Sequence, residues 1–285
     1  MQDFLMDEIN AAAIPVPPES KHLGIIAMGM SGTGKTTLIG TAPKPLIFDF
    51  DHGLMTLDAM GLQEGKDYYK IKFDKFSLKT INTPQGEKKK MSPLQNIEKL
   101  LQILCYAADQ EGPFAEGGVF ADVETLALDG YTSLSRYYLY EVQCSLGQDY
   151  RKDKAGFDGY GQILKVFDDV AEMLCQCKEH YNIIGTCMPK GVQRPGSSRD
   201  DDMVYVPDMD GSFKGVLGKT LDEFYYLEAK RLGGKVKYIV NTKPLNTVDG
   251  LKSRSQLPQE MEGITFPEIQ AEFLKAHAKN SGKGA

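Results

Sequence analysis

Eight residues near the start of the chain, Gly29-Met30-Ser31-Gly32-Thr33-Gly34-Lys35-Thr36, leave few folds open. They satisfy the pattern G-x-x-x-x-G-K-[ST] in full, between the apolar run Leu23–Met28 and a helical segment that must end before Pro43. Glycines at these positions let backbone N–H groups turn inward around a polyphosphate. The helix that follows presents its positive end to the same anion. Lys35 has the reach for the β- and γ-phosphates, and the Thr36 hydroxyl is a ligand for Mg²⁺. Gly29, Met30, Ser31, Gly32, Thr33, Gly34, Lys35 and Thr36, with Thr37 behind them, are therefore the expected contacts of Mg-ATP.

The rest of the chain repeats the strand-then-helix rhythm. Pro45–Phe50, Tyr68–Phe73, Val123–Leu128 and Asn182–Met188 read as strands, the last stopping at Pro189. Leu54–Met60, 94–109, 132–146 and a segment carrying Ile163, Val166, Phe167, Val170, Leu174 and Cys177 read as helices. Leu221–Glu228, Val236–Thr242 and a helix after Pro267 complete the pattern. Such alternation predicts an α/β fold with a mostly parallel β-sheet sandwiched by helices. Residues 1–22, broken by Ile14-Pro15-Val16-Pro17-Pro18, read as an N-terminal arm that is a candidate oligomerisation segment. The domain spans 23–275, and 276–285 reads as a disordered tail. Residues 74–93, with Lys88-Lys89-Lys90, read as a surface excursion or hairpin. Residues 147–161 and 189–218 read as long polar loops.

Composition narrows the function. The net charge of −6 excludes a strong global field for polyanions while leaving a local groove open. No apolar run approaches a membrane span, and the acidic start Met1–Ala13 is no secretory signal. Five scattered cysteines read as reduced thiols of a cytoplasmic protein, Cys175 and Cys177 as buried or half-buried groups rather than metal ligands.

Magnesium also needs an acid at the end of a later strand. Leu126-Ala127-Leu128-Asp129 supplies one, so Asp129 is the candidate for the metal shell, the alternative being a helix cap for 132. Many P-loop ATPases place the water-activating glutamate next, but here that residue is Gly130. Another strand must then carry the base. Asp49 and Asp51 end the strand after the phosphate loop, at the carboxyl edge where α/β proteins bind ligands. Asp51 is the preferred base with Asp49 in support; the alternative is a pair of strand-end surface acids.

Taken in order, these residues resemble the RecA-type recombinase core. Leu46-Ile47-Phe48-Asp49-Phe50-Asp51-His52-Gly53-Leu54 is similar to the segment that carries its catalytic glutamate followed by His. Ile183-Ile184-Gly185-Thr186-Cys187-Met188-Pro189-Lys190 resembles the strand leading to its second DNA loop. The closest likeness is to phage-encoded RecA-like ATPases of single-strand annealing, which end in a K-x-R element before Leu-Pro. Here these are Lys252-Ser253-Arg254 and Leu257-Pro258. The resemblance implies a RecA-like P-loop NTPase core that hydrolyses ATP, binds single-stranded DNA and works as a homo-oligomer, ring or filament, in a bacterial host's cytoplasm. It makes Lys252 and Arg254 catalytic cations donated to a neighbouring subunit, where their own residue types would equally suit a solvated surface. It puts DNA contacts in the first loop at Tyr150, Arg151, Lys152, Lys154, Phe157 and Tyr160, and in the second at Lys190, Arg194, Arg199 and Lys214. Aromatics among cations suit single strands, yet Asp149, Asp153, Asp158, Asp200-Asp201-Asp202, Asp208 and Asp210 offset the charge, so a solvated surface fits these loops as well. Position 51 is Asp where that core has Glu. Thr186 and Cys187 replace its γ-phosphate-sensing Asn-Gln pair. Two rival readings remain: a motor or remodeller acting on protein or duplex DNA, of the packaging or helicase-loading kind, and a nucleotide-dependent binding module without hydrolysis.

Overall fold

A computed structural model describes residues 22–281 apart from 75, 84–85, 94–95, 147–155, 195–201, 210–220, 233, 249 and 256. Four strands form its centre: β1 (Gly24–Gly29), β2 (Pro45–Asp49), β6 (Thr125–Asp129) and β7 (Asn182–Cys187). Every residue in them is buried, as expected of parallel strands covered on both faces. β3 (Tyr69–Lys72) lies outside β2, and β10 (Glu223–Leu232) lies outside β1. Antiparallel strands β11 (Lys235–Asn241), β12 (Lys252–Ser253) and β13 (Glu260–Glu262) finish that side. The order across the sheet is β13-β11-β10-β1-β7-β6-β2-β3, with β12 on β10.

Side chains alternate between two cores. Ile26, Met28, Leu46, Phe48, Leu126 and Leu128 face one way, Ile25, Ala27, Ile47 and Ala127 the other. The first face is covered by α3 (Asn96–Ala108), α4 (Tyr131–Ser145) and α5 (Phe157–Cys177), through Leu100, Leu104, Leu134, Phe167 and Leu174 among others. The second is covered by α1 (Lys35–Gly40), α2 (Met55–Ala59) and α6 (Phe266–Ser281), through Leu38, Ile39, Leu57 and Ile269. Each fully buried aliphatic or aromatic side chain of this kind contributes about 1.5–3 kcal/mol. Among the described residues no helix is long and apolar enough to cross a membrane.

Three sequence expectations are corrected. The first long loop is shorter than 147–161, because α5 begins at Phe157 and takes Tyr160 into its first turn. Glycines 159 and 161 argue against a helix there, but the buried stripe that starts at Ile163 carries the helix through them. The second loop, 189–218, contains two strands: β8 (Pro189–Gln193) pairs antiparallel with β9 (Met203–Pro207). β7 stops before Pro189 as the sequence indicates, and Pro189 opens the new strand, where its missing N–H is tolerated. Finally, α6 runs to Ser281, through residues read as tail from 276 onward. The excursion 74–93 is a hairpin of β4 (Phe76–Thr83) and β5 (Gly86–Pro93), a two-stranded sheet separate from the main one. The arm 1–21 and the end 282–285 lie outside the described residues.

Candidate nucleotide site

Because β7 lies between β1 and β6, the loops after β1, β2, β6 and β7 leave the same edge of the sheet side by side. A cleft of about 500 Å³ opens there. It is lined by Ser31, Gly32 and Gly34 from the loop after β1 and by Lys35, Thr36 and Thr37 from the first turn of α1, with Asp51, Asp129, Met188 and Tyr238 from four other segments. Gly34 must be glycine twice over: its φ is +93°, and a side chain would run into Ile264. The Thr33 hydroxyl donates to the Met30 carbonyl (2.8 Å), which tightens the turn. Lys35 Nζ donates to the carbonyl oxygens of Gly29 (2.7 Å) and Met30 (2.9 Å) and lies 3.4 Å from Met188 Sδ. Burial lowers the Lys35 pKa, opposed chiefly by the charge of Asp129.

The three acids converge by register, Asp49 standing directly opposite Asp129. Asp129 is buried, and desolvation pushes its carboxyl up to about 6. The largest opposing influence is the Thr186 hydroxyl, which donates to Asp129 Oδ1 at 2.7 Å and accepts from the Gly130 N–H at 3.0 Å. Asp49 is buried as well and its pKa is raised by burial. Its Oδ1 accepts the His52 N–H at 2.8 Å, so this carboxylate closes the 49–52 turn and does not line the cleft. The turn is held further by Phe50 N–H to the Asp129 carbonyl (3.1 Å), by the Tyr137 hydroxyl to the Phe50 carbonyl (2.9 Å) and by Phe50 stacked on Phe73. Asp51 rides on this fixed turn into the cleft. Gly130 has φ +105°, and a β-carbon there would collide with the Asp51 carboxylate. The space beside Asp129 that a side chain at 130 would fill is thus taken by an acid from the next strand.

Two cleft residues escape sequence reasoning. Tyr238 comes from β11, some two hundred residues after the phosphate loop, and its ring approaches Gly34 on the side of Ile264. Met188 reaches Lys35 because it follows β7 directly, and its own N–H is fixed by the Thr132 hydroxyl at 3.0 Å. No motif marks either; only the strand order brings them to the cleft.

The remaining sequence candidates lie elsewhere. Lys252 and Arg254 sit on and just after β12, which pairs with Phe224 and Glu223 at the amino end of β10. That is the sheet edge opposite the cleft. Asp222 holds Arg254 (3.3 Å) and also binds Lys178, and burial lowers the Lys252 pKa. Lys190 is exposed on β8. Arg194 pairs with Asp202 (3.0 Å) and donates to the Asn246 carbonyl. Phe157 is the first residue of α5, and Tyr160 is partly exposed on that helix. Tyr150, Arg151, Lys152, Lys154, Arg199 and Lys214 lie outside the described residues.

A mostly parallel sheet covered on both faces, with a phosphate-loop strand separated from an acid-bearing strand by one further strand, defines a RecA-like P-loop ATPase. Residues 21–255 match the AAA domain family, and the chain belongs to it. Among solved structures the chain is similar to a KaiC-like protein of the hyperthermophilic archaeon Pyrococcus horikoshii, at 14% identity and TM-score 0.39 over 77% of each chain. It is also similar to the flagellar accessory protein FlaH of Methanocaldococcus jannaschii, at 10% identity and TM-score 0.43 over 84% of each. No curated protein matches the sequence.

Proposed function

We propose that this ATPase uses the nucleotide to control its grip on single-stranded DNA, acting as an oligomer in recombination or annealing. Lys35 supplies the counter-charge to the β- and γ-phosphates. The Thr36 hydroxyl and the Asp129 carboxylate line one cleft and offer only oxygen donors, the set magnesium takes, so these two residues would hold it. When bound, the ion neutralises charge that builds up between the β- and γ-phosphates. Asp51 accepts a proton from the water that attacks the γ-phosphorus as the bond to the bridging oxygen of ADP breaks. Asp49 positions Asp51 by closing the turn beneath it. Lys252 and Arg254, remote from their own cleft, serve the cleft of a neighbouring subunit.

The observation that carries the DNA reading is the course of β7. It runs from Thr186, bonded to Asp129, through Met188, beside Lys35, directly into the β8–β9 ribbon with Lys190 and Arg194. The Met188 carbonyl also accepts the N–H of Asp208, just past the return strand (2.7 Å), and Asp208 pairs with Arg136 of α4 (2.7 Å). A phosphate that draws Lys35 away from Met188 therefore acts on both roots of the ribbon. Fluorescence anisotropy with labelled single- and double-stranded oligonucleotides, with ATP, ADP or neither, tests this. Tightest binding is expected for the single strand with ATP. Equal weak binding in every combination would remove the recombinase reading in favour of an ATPase acting on protein.

A further inference from the structure

The β4–β5 ribbon has no part in the roles above. It leaves the sheet after β3, whose carboxyl end lies beside that of β2, so it springs from the same edge as the nucleotide cleft and the β8–β9 ribbon. Its root is tied to the turn that carries Asp51: His52 lies 3.7 Å from Asp74, and its N–H is held by Asp49.

The register of the ribbon sorts its residues. Lys79 pairs with Lys90 and Ile81 with Lys88, so Lys79, Lys88 and Lys90 belong to one face, above the pair Ser77–Ser92. Leu78 and Met91 belong to the other, with Phe76 and Pro93 at the root. Like charges directly opposite one another destabilise a two-stranded pair, and such a ribbon is marginally stable on its own. Residues 76–93 hold four lysines and one glutamate in a chain whose net charge is −6. The local sign is therefore opposite to that of the molecule. A face of three lysines in one register, on the edge where nucleotide and β7 meet, has the charge and the extended shape to lie along a polyanion.

We propose that the β4–β5 ribbon is a nucleic-acid contact whose lysine face lies along the phosphate backbone of the strand held at this edge. The proposal rests on the single-strand reading above and adds a site to it. Its test is the salt dependence of binding to a labelled single-stranded oligonucleotide. Removing one lysine–phosphate pair lowers the slope of log affinity against log salt by about 0.7. The combined variant Lys79→Ala, Lys88→Ala, Lys90→Ala should flatten the slope by about 2, with DNA-free ATP hydrolysis unchanged. Lys89→Ala, on the opposite face, should leave the slope alone, and the three Lys→Arg changes together should keep it. If wild type and triple variant bind DNA with the same slope, the ribbon proposal is overturned while the single-strand reading stands. If the wild type binds no DNA, both fall. A triple variant that loses self-association at an unchanged DNA slope would overturn the proposal and assign the ribbon to a contact between subunits.

Discussion

Asp129 is held in a conflict between burial and the charge its chemistry needs. Burial pushes its carboxyl up to about 6, so the folded chain binds this proton more tightly than the unfolded chain does. The stability it contributes is therefore complete below the ordinary carboxylate range and is lost as pH rises through about 6. Asp129→Asn should stabilise the nucleotide-free protein by about 3 kcal/mol at neutral pH, a gain that fades towards pH ~4. Chemical denaturation at both pH values checks it, and equal gains at both would contradict the burial argument. Thr186 tests the same carboxylate from the other side. Thr186→Val removes the hydrogen bond that lowers the Asp129 pKa, so the acid limb of the pH–rate profile should move upward. A uniform loss of rate with an unmoved limb would make Thr186 merely structural. Asp51→Asn should still bind ATP but turn over roughly 100-fold more slowly in single-turnover assays, the common scale for a lost general base. If that variant is fully active while Asp49→Asn is dead, the two roles are reversed.

At the level of elements, the course of β7 makes a specific demand. Amides of β8 and β9 should change their hydrogen-exchange protection when Mg-ATP binds, whereas those of β10 and β11 away from Tyr238 should not. An unchanged β8–β9 ribbon would break the link between cleft and ribbon. The elements also mark where sequence reasoning succeeds and stops. The phosphate loop, Asp51 and Asp129 are legible because each lies at the end of a short apolar strand, a local signal. The correct strands follow from the same signal, since buried parallel strands read as unbroken apolar runs. Pro189 correctly marks the end of β7, but the polar, Gly- and Pro-rich run after it and the glycines after 156 mislead because they report local propensity, which the pairing of β8 with β9 and the buried face of α5 override. Tyr238 and Met188 stay hidden because their place in the cleft is a property of strand order, which no single segment carries. The reason for Gly130 is equally non-local: it is small because Asp51, nearly eighty residues earlier, needs the space.

For the whole molecule, the cleft and the Lys252–Arg254 element occupy opposite edges of one sheet, so the shared site proposed above requires a contact between subunits. Lys35→Ala subunits and Arg254→Ala subunits should each be inactive alone, and mixing them should restore some hydrolysis, because a mixed contact joins an intact cleft to an intact cation. No rescue at any ratio would count against a shared site. The same architecture sets P-loop, acids, β8–β9 ribbon and β4–β5 ribbon along the other edge, and this common edge is why ATP turnover and DNA binding should be coupled. Steady-state ATP hydrolysis with and without single-stranded DNA measures that coupling directly. The account predicts hydrolysis that single-stranded DNA accelerates, that duplex DNA accelerates less, and that Lys35→Ala abolishes under all conditions; hydrolysis indifferent to DNA would contradict it.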